Sequence, residues 1–240
     1  MTSLFETVHA IRDRERTKRI IAYLVLSFGI FGILLQFTRS FFSPEPLLSF
    51  ITNFVYFTTQ SNIFITVIAY LFIRGKNHSK LFSSLSFIAL LNIMITGIVF
   101  HILLTPFMSQ VSFLNHVLHT INPLLYIIFY FSLVSEFPPL KKVWISLIYP
   151  LVYALLVYIF IEPVLGDILN QIVIVFDNSA RYVYPFLDPK NYDNGIVGLL
   201  VFNLGILAPI MLILSFLLLY IKQKFETKIQ QYNIKKEVAK

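Results

Sequence analysis

Six long apolar segments determine what this chain of 240 residues can fold into. Runs of about 18 or more apolar residues with few charges are long enough to cross a bilayer as a helix. Composition agrees, because 57% of the residues are hydrophobic and only 13% are charged, against about 25% charged in an ordinary soluble domain. We therefore predict an all-α integral membrane bundle of six transmembrane helices, at about 20–38, 51–73, 81–104, 113–134, 143–161 and 196–221.

The segments that flank the bundle are short. We predict a basic cytoplasmic segment at 1–19, the transmembrane domain at 20–221 and a basic cytoplasmic tail at 222–240. The start of the chain is polar and rich in Arg, unlike a cleavable signal with its apolar core of about 7–15 residues. We expect the first span to be a retained signal anchor. We favour an exposed charged flank over an interfacial helix for residues 9–19.

The basic residues predict the orientation of the bundle. Sixteen of the 19 Lys and Arg residues lie at the two termini or in the loops after the second and fourth spans, and the other side has only Arg39, Arg181 and Lys190. The positive-inside rule then places both termini in the cytoplasm, as an even number of spans requires. The net charge of +7 is explained by this bias, so we expect no nucleic-acid partner.

Polar side chains gather at one level of the second, third and fourth spans. At the helical rise per residue, Thr58 lies about 10 Å and His119 about 9 Å below the outer ends of their helices. Lipid cannot satisfy such groups, so they should face the bundle interior or a wet cavity. We predict a polar pocket in the outer half of the membrane. Its candidate residues are Thr58, Thr59, Ser61, Asn62, Asn92, Thr96, His101, Asn115, His116, His119 and Asn122.

Some of these groups have a simpler interpretation. Ser, Thr, Asn and His also join membrane helices by hydrogen bonds. We favour that role for Ser61, Asn92, Thr96 and Asn203. The gathering of three histidines with a Thr-Thr pair favours a functional pocket for the cluster as a whole.

The long outer loop, at about 162–195, contains the stretch NQIVIVFDNSARYVYPFLDP at 170–189. Its aromatic and β-branched residues predict an ordered segment, either a lid over the pocket or an aromatic belt at the headgroup level. Asp177, Arg181 and Asp188 give it charge, and we expect Glu162 and Asp167 to be solvated loop charges.

The pocket contains the groups that acyl transfer requires. A Thr hydroxyl becomes a nucleophile when a neighbouring base takes its proton, and neutral His is the usual base. Thr58 or Thr59 with His119 would supply this pair, and Asn62, Asn115 or the backbone would stabilise an oxyanion. Because the pocket opens within the membrane, we expect the substrate to be a lipid ester.

Two other functions stay open on the residues alone. His101, His116 and His119 could hold a catalytic zinc ion, with Asp177 or Asp188 from the loop. Against this, no acidic residue lies within the second, third or fourth span to orient a ligand. The bundle could also bind or transport a lipid or a small polar ligand without chemistry. The chain has no cysteine and no GxSxG, HExxH, Walker or GxGxxG pattern, and we expect no cofactor.

Three motifs resemble the family of the androgen-induced gene product and the androgen-dependent TFPI-regulating protein, and are most similar to its prokaryotic relatives. The first is Tyr56-Phe57-Thr58, continued as Thr59-Gln60-Ser61-Asn62. The second is Asn115-His116-Val117-Leu118-His119-Thr120 followed by Pro123. The third is Val183-Tyr184-Pro185-Phe186-Leu187-Asp188 in the outer loop. Their order also matches, and the resemblance spans about 20–220.

The resemblance implies a six-helix intramembrane threonine hydrolase of fatty acid esters of hydroxy fatty acids, in a bacterial cell membrane. Carried over, the catalytic pair is Thr58 and His119, with Tyr184 and Asp188 in a supporting role. The vertebrate branch has an apolar residue after the threonine and an acidic one two positions further on. This chain has Thr59-Gln60-Ser61-Asn62 instead, which leaves Thr58 or Thr59 as nucleophile and implies a different pocket lining.

Overall fold

A computed structural model describes residues 4–105, 110–172 and 180–238, and within these ranges the protein contains helices and no strand. The helices are α1 (Leu4–Asp13), α2 (Glu15–Ser40), α3 (Pro46–Thr52), α4 (Phe57–Ile73), α5 (Lys80–Leu104), α6 (Phe113–Leu133), α7 (Leu140–Gln171) and α8, which joins Ile196–Leu200, Val201–Leu207 and Ala208–Val238. Five of them are long and apolar enough to cross a membrane, and α3 with α4 forms a sixth, broken span. The predicted all-α bundle is confirmed, and the protein is an integral multi-pass membrane protein.

The second span is not the straight helix predicted at 51–73. α3 and the short turn Asn53–Val55 meet α4 at an angle of 70°. Tyr56 is extended at the break, with φ −75° and ψ 129°. The hydroxyl of Tyr153 on α7 donates to the Val55 oxygen at 2.9 Å, which ties the break to a neighbouring helix. The N-terminus of α4 therefore lies inside the bundle, against α7.

The core forms where α2, α4, α5 and α6 pack together around fully buried side chains such as Ile65, Leu90 and Phe129. Glycines allow the closest approaches. A Cβ on Gly97 of α5 would lie 2.9 Å from the backbone oxygen of His119 on α6, so only glycine fits at this crossing. Such contacts between small residues and a facing backbone are typical of membrane helices.

Four stretches of the long helices are wound as π-helix, Phe100–Leu104, Val117–Ile121, Val157–Leu165 and Val201–Leu207. Each carries a polar residue, and these are His101, His119, Glu162 and Asn203. Such wide turns are rare in proteins as a whole, and where they occur they often lie at functional sites. Periodicity in the sequence did not indicate them.

Both ends of the chain meet on one side of the bundle. The Arg12 guanidinium of α1 contacts both carboxylate oxygens of Glu226 on α8, at 2.6 Å and 2.7 Å, and donates to the Ser132 oxygen at 2.8 Å. The flank expected to be exposed is therefore a helix that packs on the bundle in its described part. Likewise Lys222, placed by the sequence in a solvated tail, is fully buried within α8.

Candidate functional site

A cavity of about 460 Å³, here called the large cavity, lies at the end of the bundle opposite the termini. Its walls come from the end of α2, from α3, from the first turn of α4, from α5 and α6, and from the outer loop at 180–185. A second cavity of about 90 Å³, the small cavity, lies against it among α4, α5, α7, α8 and the loop. Five residues line both cavities, Thr58, Phe100, Leu104, His119 and Tyr184.

Thr58 is the second residue of α4, directly after the break at Tyr56. The first backbone bond of this helix runs from Gln60 N to Tyr56 O at 3.1 Å. The N–H groups of Phe57, Thr58 and Thr59 therefore have no acceptor within the helix, and they carry the positive end of its dipole. The sequence placed Thr58 inside a straight span, whereas the break puts it in the first turn of a helix.

His119 lies in the π-helical stretch of α6 and is buried, with 8% of its surface exposed. Its Nδ1 lies 3.2 Å from the backbone oxygen of Thr96 on α5. Its ring stacks on Phe100, with centroids 4.0 Å apart and planes 12° from parallel. These two contacts fix the position and rotation of the imidazole. No described residue hydrogen-bonds its Nε2, which is on the far side of the ring from Thr96.

Tyr184 joins the outer loop to the first turn of α4. Burial raises the pKa of its hydroxyl, and interactions with the Thr58 side chain and with the backbone N–H groups of Thr58 and Phe57 oppose that rise. The preceding residue, Val183, has φ 67°, a conformation that a β-branched residue rarely adopts. Strained backbone of this kind clusters at functional sites. Here it directly precedes Tyr184, which lines both cavities with Thr58.

The described part of the outer loop covers the large cavity and is tied down at several points. Arg181 pairs with Glu162 at 2.7 Å and with Asp167. Glu162 and Asp167 are thus ion-pair partners that lie on α7, which extends to Gln171, and not in the loop. The Asp167 side chain is solvated as expected, with 80% of its surface exposed, whereas Glu162 is largely covered. Asn203 of α8 donates to the Phe186 oxygen at 3.1 Å. The predicted lid also includes residues 173–179, with Asp177, which lie outside the described residues.

Thr59, the alternative nucleophile, has a different environment from Thr58. It is fully buried, lines neither cavity, and its Oγ1 accepts a hydrogen bond from Gln36 Nε2 at 2.8 Å. The hydroxyl is therefore engaged in packing α2 against α4. Of the two threonines, only Thr58 reaches the space where a substrate could lie.

Asn62 and Ser61 also face away from the cavities. Asn62 Nδ2 donates to the Thr58 oxygen at 2.9 Å, and its Oδ1 accepts from Asn122 Nδ2 at 2.6 Å. Both asparagines are buried where α4 and α6 meet. The expectation that Asn62 stabilises an oxyanion is not met by this geometry, because its amide joins helices. Ser61 is fully buried and lines neither cavity, but its Oγ has no hydrogen-bond partner among the described residues, so the interhelical hydrogen bond predicted for it is not formed.

The three histidines do not converge. His101 is exposed and bonds Thr120 Oγ1 at 2.9 Å, and His116 is exposed and lines neither cavity. Across the described ranges, no three His, Asp or Glu side chains lie together as metal ligands would. Asp188 is buried and accepts from Lys190 N at 2.9 Å, capping a short turn of the loop. Asn115 does line the large cavity, as predicted.

Two further residues of the large cavity were not singled out from the sequence. Gln36 and Arg39 line it from α2, whose outer end was treated only as part of a span and its flank. Their spacing of three residues, which puts both on one helix face, was a signal in the sequence that the prediction did not use. A Gln inside an apolar span, followed by a cation on the side that has few, is a pattern that could have indicated them.

No protein-family model, curated protein or solved structure matches the chain. The family resemblance therefore rests on the three sequence motifs and stays a prediction.

Proposed function

We propose that the protein is an intramembrane lipid-ester hydrolase in which Thr58 is the nucleophile and His119 the general base. One observation carries the proposal, namely that both side chains line the same two cavities while His119 is oriented through its Nδ1 by the Thr96 carbonyl. A backbone oxygen accepts hydrogen bonds only, so Nδ1 carries the hydrogen of the neutral ring and Nε2 carries the lone pair. This is the tautomer that a base needs.

The reaction would run in two steps, acylation of Thr58 and hydrolysis of the acyl-threonine. Thr58 Oγ attacks the ester carbonyl while His119 Nε2 takes the hydroxyl proton, and the alcohol then leaves with that proton. A water molecule next attacks the acyl-threonine, again giving a proton to His119, and releases the fatty acid and the free Thr58 hydroxyl. The oxyanion of each step would accept hydrogen bonds from the N–H groups at the start of α4, which have no acceptor within the helix.

Tyr184 would assist at the same point. Its side chain lines both cavities together with Thr58 and His119. A phenol there can donate a hydrogen bond to the developing oxyanion. Asn115 would contact the substrate in the large cavity, which its side chain lines. In this proposal His101, Asn62 and Asp188 make structural contacts, His116 is an exposed side chain, and none of the four touches a reacting atom.

The substrate class follows from where the site lies. The small cavity has walls of Ile95, Val99 and Leu207 among other apolar side chains, and its volume of about 90 Å³ suits the few acyl carbons next to the ester carbonyl. The resemblance adds fatty acid esters of hydroxy fatty acids as the first class to test. It also supports placing the protein in a bacterial cell membrane, with both termini in the cytoplasm as the basic residues predict.

The test uses detergent-purified or nanodisc-embedded protein and a panel of lipid esters that includes fatty acid esters of hydroxy fatty acids. His119→Ala should lower turnover by about 10²–10⁴-fold, the usual contribution of a general base. Thr58→Ala should abolish turnover, because the acyl-enzyme cannot form without the nucleophile. Both variants should remain folded and monodisperse. Thr59→Val is the matched control, and it should retain activity. Hydrolysis that survives in Thr58→Ala would refute the assignment. Metal analysis of the active wild type tests the zinc alternative.

A further inference from the structure

Arg39 is the only charged side chain among the described residues that line the large cavity. No described Asp or Glu forms an ion pair with it, whereas Arg181, on the same side of the bundle, pairs with Glu162 and Asp167. The positive end of the α4 dipole faces the same space. The described walls therefore place positive charge in this cavity without a carboxylate to balance it.

The position of Arg39 relative to the nucleophile is set by Gln36. Gln36 Nε2 is bonded to Thr59 Oγ1 at 2.8 Å, next to Thr58 in the chain. Arg39 lies three residues further along α2, about one turn, or about 5 Å, nearer its outer end. Ser40 and Asn53, joined by a bond of 2.6 Å, add a polar wall beside it. The large cavity is thus polar and cationic at its outer end.

The two cavities differ in chemistry and meet at Thr58 and His119. Apolar side chains of α5, α7 and α8 dominate the small cavity, and its described lining contains no charged residue. An ester bound with its carbonyl at Thr58 must send one half into each cavity. The halves sort by polarity, because an apolar chain gains from burial and an anion gains from Arg39.

We propose that Arg39 is a specificity residue that binds an anionic group on the alcohol half of the substrate in the large cavity, while the acyl carbons next to the carbonyl lie in the small cavity. The role of Arg39 in substrate specificity rests on the proposed function. Binding of an anion by Arg39 does not depend on hydrolysis. The anion is a carboxylate or a phosphate, since a guanidinium binds both in the same forked geometry.

Two pairs of esters test the proposal. The first pair is an acylated hydroxy fatty acid and its methyl ester, and the second is a monoacylglycerol phosphate and the monoacylglycerol. In each pair only one member is anionic. Arg39→Gln should lower kcat/KM for the anionic member of one pair by about tenfold, the effect of losing one charge-assisted hydrogen bond at a partly solvated site. The neutral members should stay within about twofold.

Two further variants sharpen the result. Arg39→Lys keeps the charge without the fork, so it should recover part of the loss. Lys190→Gln removes an exposed outer cation that lines neither cavity, and it should leave all four rates unchanged. If Arg39→Gln lowers kcat/KM for the acylated hydroxy fatty acid, the anion is a carboxylate; if it does so for the monoacylglycerol phosphate, the anion is a phosphate. Equal losses for charged and neutral esters, or no loss at all, would overturn the inference.

A binding measurement separates this inference from the hydrolase proposal. Wild type and Arg39→Gln in nanodiscs are titrated with a labelled long-chain hydroxy fatty acid and its methyl ester. A preference of wild type for the acid that disappears in Arg39→Gln supports the anion site even if no ester is hydrolysed. If esters are hydrolysed but neither variant prefers the acid or a monoacylglycerol phosphate, the hydrolase stands and the anion site falls.

Discussion

The imidazole Nδ1 of His119 lies 3.2 Å from the backbone oxygen of Thr96, across the crossing of α6 and α5. A carbonyl takes the place that a carboxylate holds in many hydrolases, so it orients the ring without adding a negative charge. The base can therefore lie in a membrane helix with no buried acid beside it. Because the orienting atom belongs to the backbone, the arrangement depends on how closely the two helices pack.

Gly97→Ala tests that dependence. The added methyl group would lie 2.9 Å from the His119 oxygen, so α5 and α6 must separate. Overpacking of this kind costs about 1–3 kcal/mol, and a displaced base costs up to about 10²-fold in rate. We expect a lower melting temperature together with a lower kcat/KM. Gly205→Ala, whose methyl group meets open space, is the control. Identical behaviour of the two variants would contradict the role given to the crossing.

The adjacent threonines give a matched pair of substitutions. Thr59→Val breaks the bond to Gln36 at 2.8 Å, and it should lower the free energy of unfolding by about 1 kcal/mol. Its turnover should stay within a few-fold of wild type. Thr58→Val should abolish turnover and change stability little, since Thr58 is only partly buried. Unfolding curves and initial rates are measured on the same preparations of both variants. Loss of turnover in Thr59→Val with turnover retained in Thr58→Val would make Thr59 the nucleophile.

The Asn62–Asn122 pair is predicted to be structural. Its bond of 2.6 Å links α4 and α6 below the site, and such bonds are worth about 0.6–2 kcal/mol in membranes. Asn122→Ala leaves the Asn62 Oδ1 buried without its partner and should destabilise more than Asn62→Leu/Asn122→Leu does. Rates at saturating substrate should change much less than stability. If Asn62→Leu is folded but has a lower kcat, Asn62 takes part in the reaction and the structural interpretation is wrong.

The buried charges at the other end of the bundle should control stability. Lys222 is fully buried, contacts Glu226 at 2.7 Å and donates to the backbone oxygens of Tyr130 and Phe131 at about 3 Å. Breaking a buried ion pair costs about 3–5 kcal/mol, whereas replacing both partners is often neutral. Glu226→Gln should therefore be much less stable than Lys222→Met/Glu226→Gln. If the double variant is the less stable of the two in thermal unfolding, this interpretation fails.

The sequence predicted the bundle because hydropathy over about 20 residues is a strong signal, and lipid leaves the backbone few alternatives to helix. It also indicated that Thr58 and His119 lie at nearly the same distance from the outer ends of their helices. The break at Tyr56 was hidden, because its immediate neighbours Val55 and Phe57 are apolar and no proline marks the bend itself. Pro46, at the start of α3, was a signal of a helix that begins earlier than the predicted span.

Other parts of the site depend on tertiary contacts that periodicity does not encode. Thr58 and Thr59 have the same side chain, and only the packing of Gln36 against one of them separates their environments. The burial of Lys222 follows from the approach of α1 and α6, which are distant in sequence. Its spacing of four residues from Glu226 was nonetheless visible as an ion pair on one helix face.

Covalent capture of the nucleophile tests the central claim most directly. Purified protein is treated with a fluorophosphonate probe, and the site of modification is mapped by peptide mass spectrometry in wild type, Thr59→Val and His119→Ala. The account predicts an adduct on Thr58 in wild type and in Thr59→Val, and its loss in folded His119→Ala. An adduct on Thr59, or labelling of Thr58 that is unchanged without His119, would contradict it.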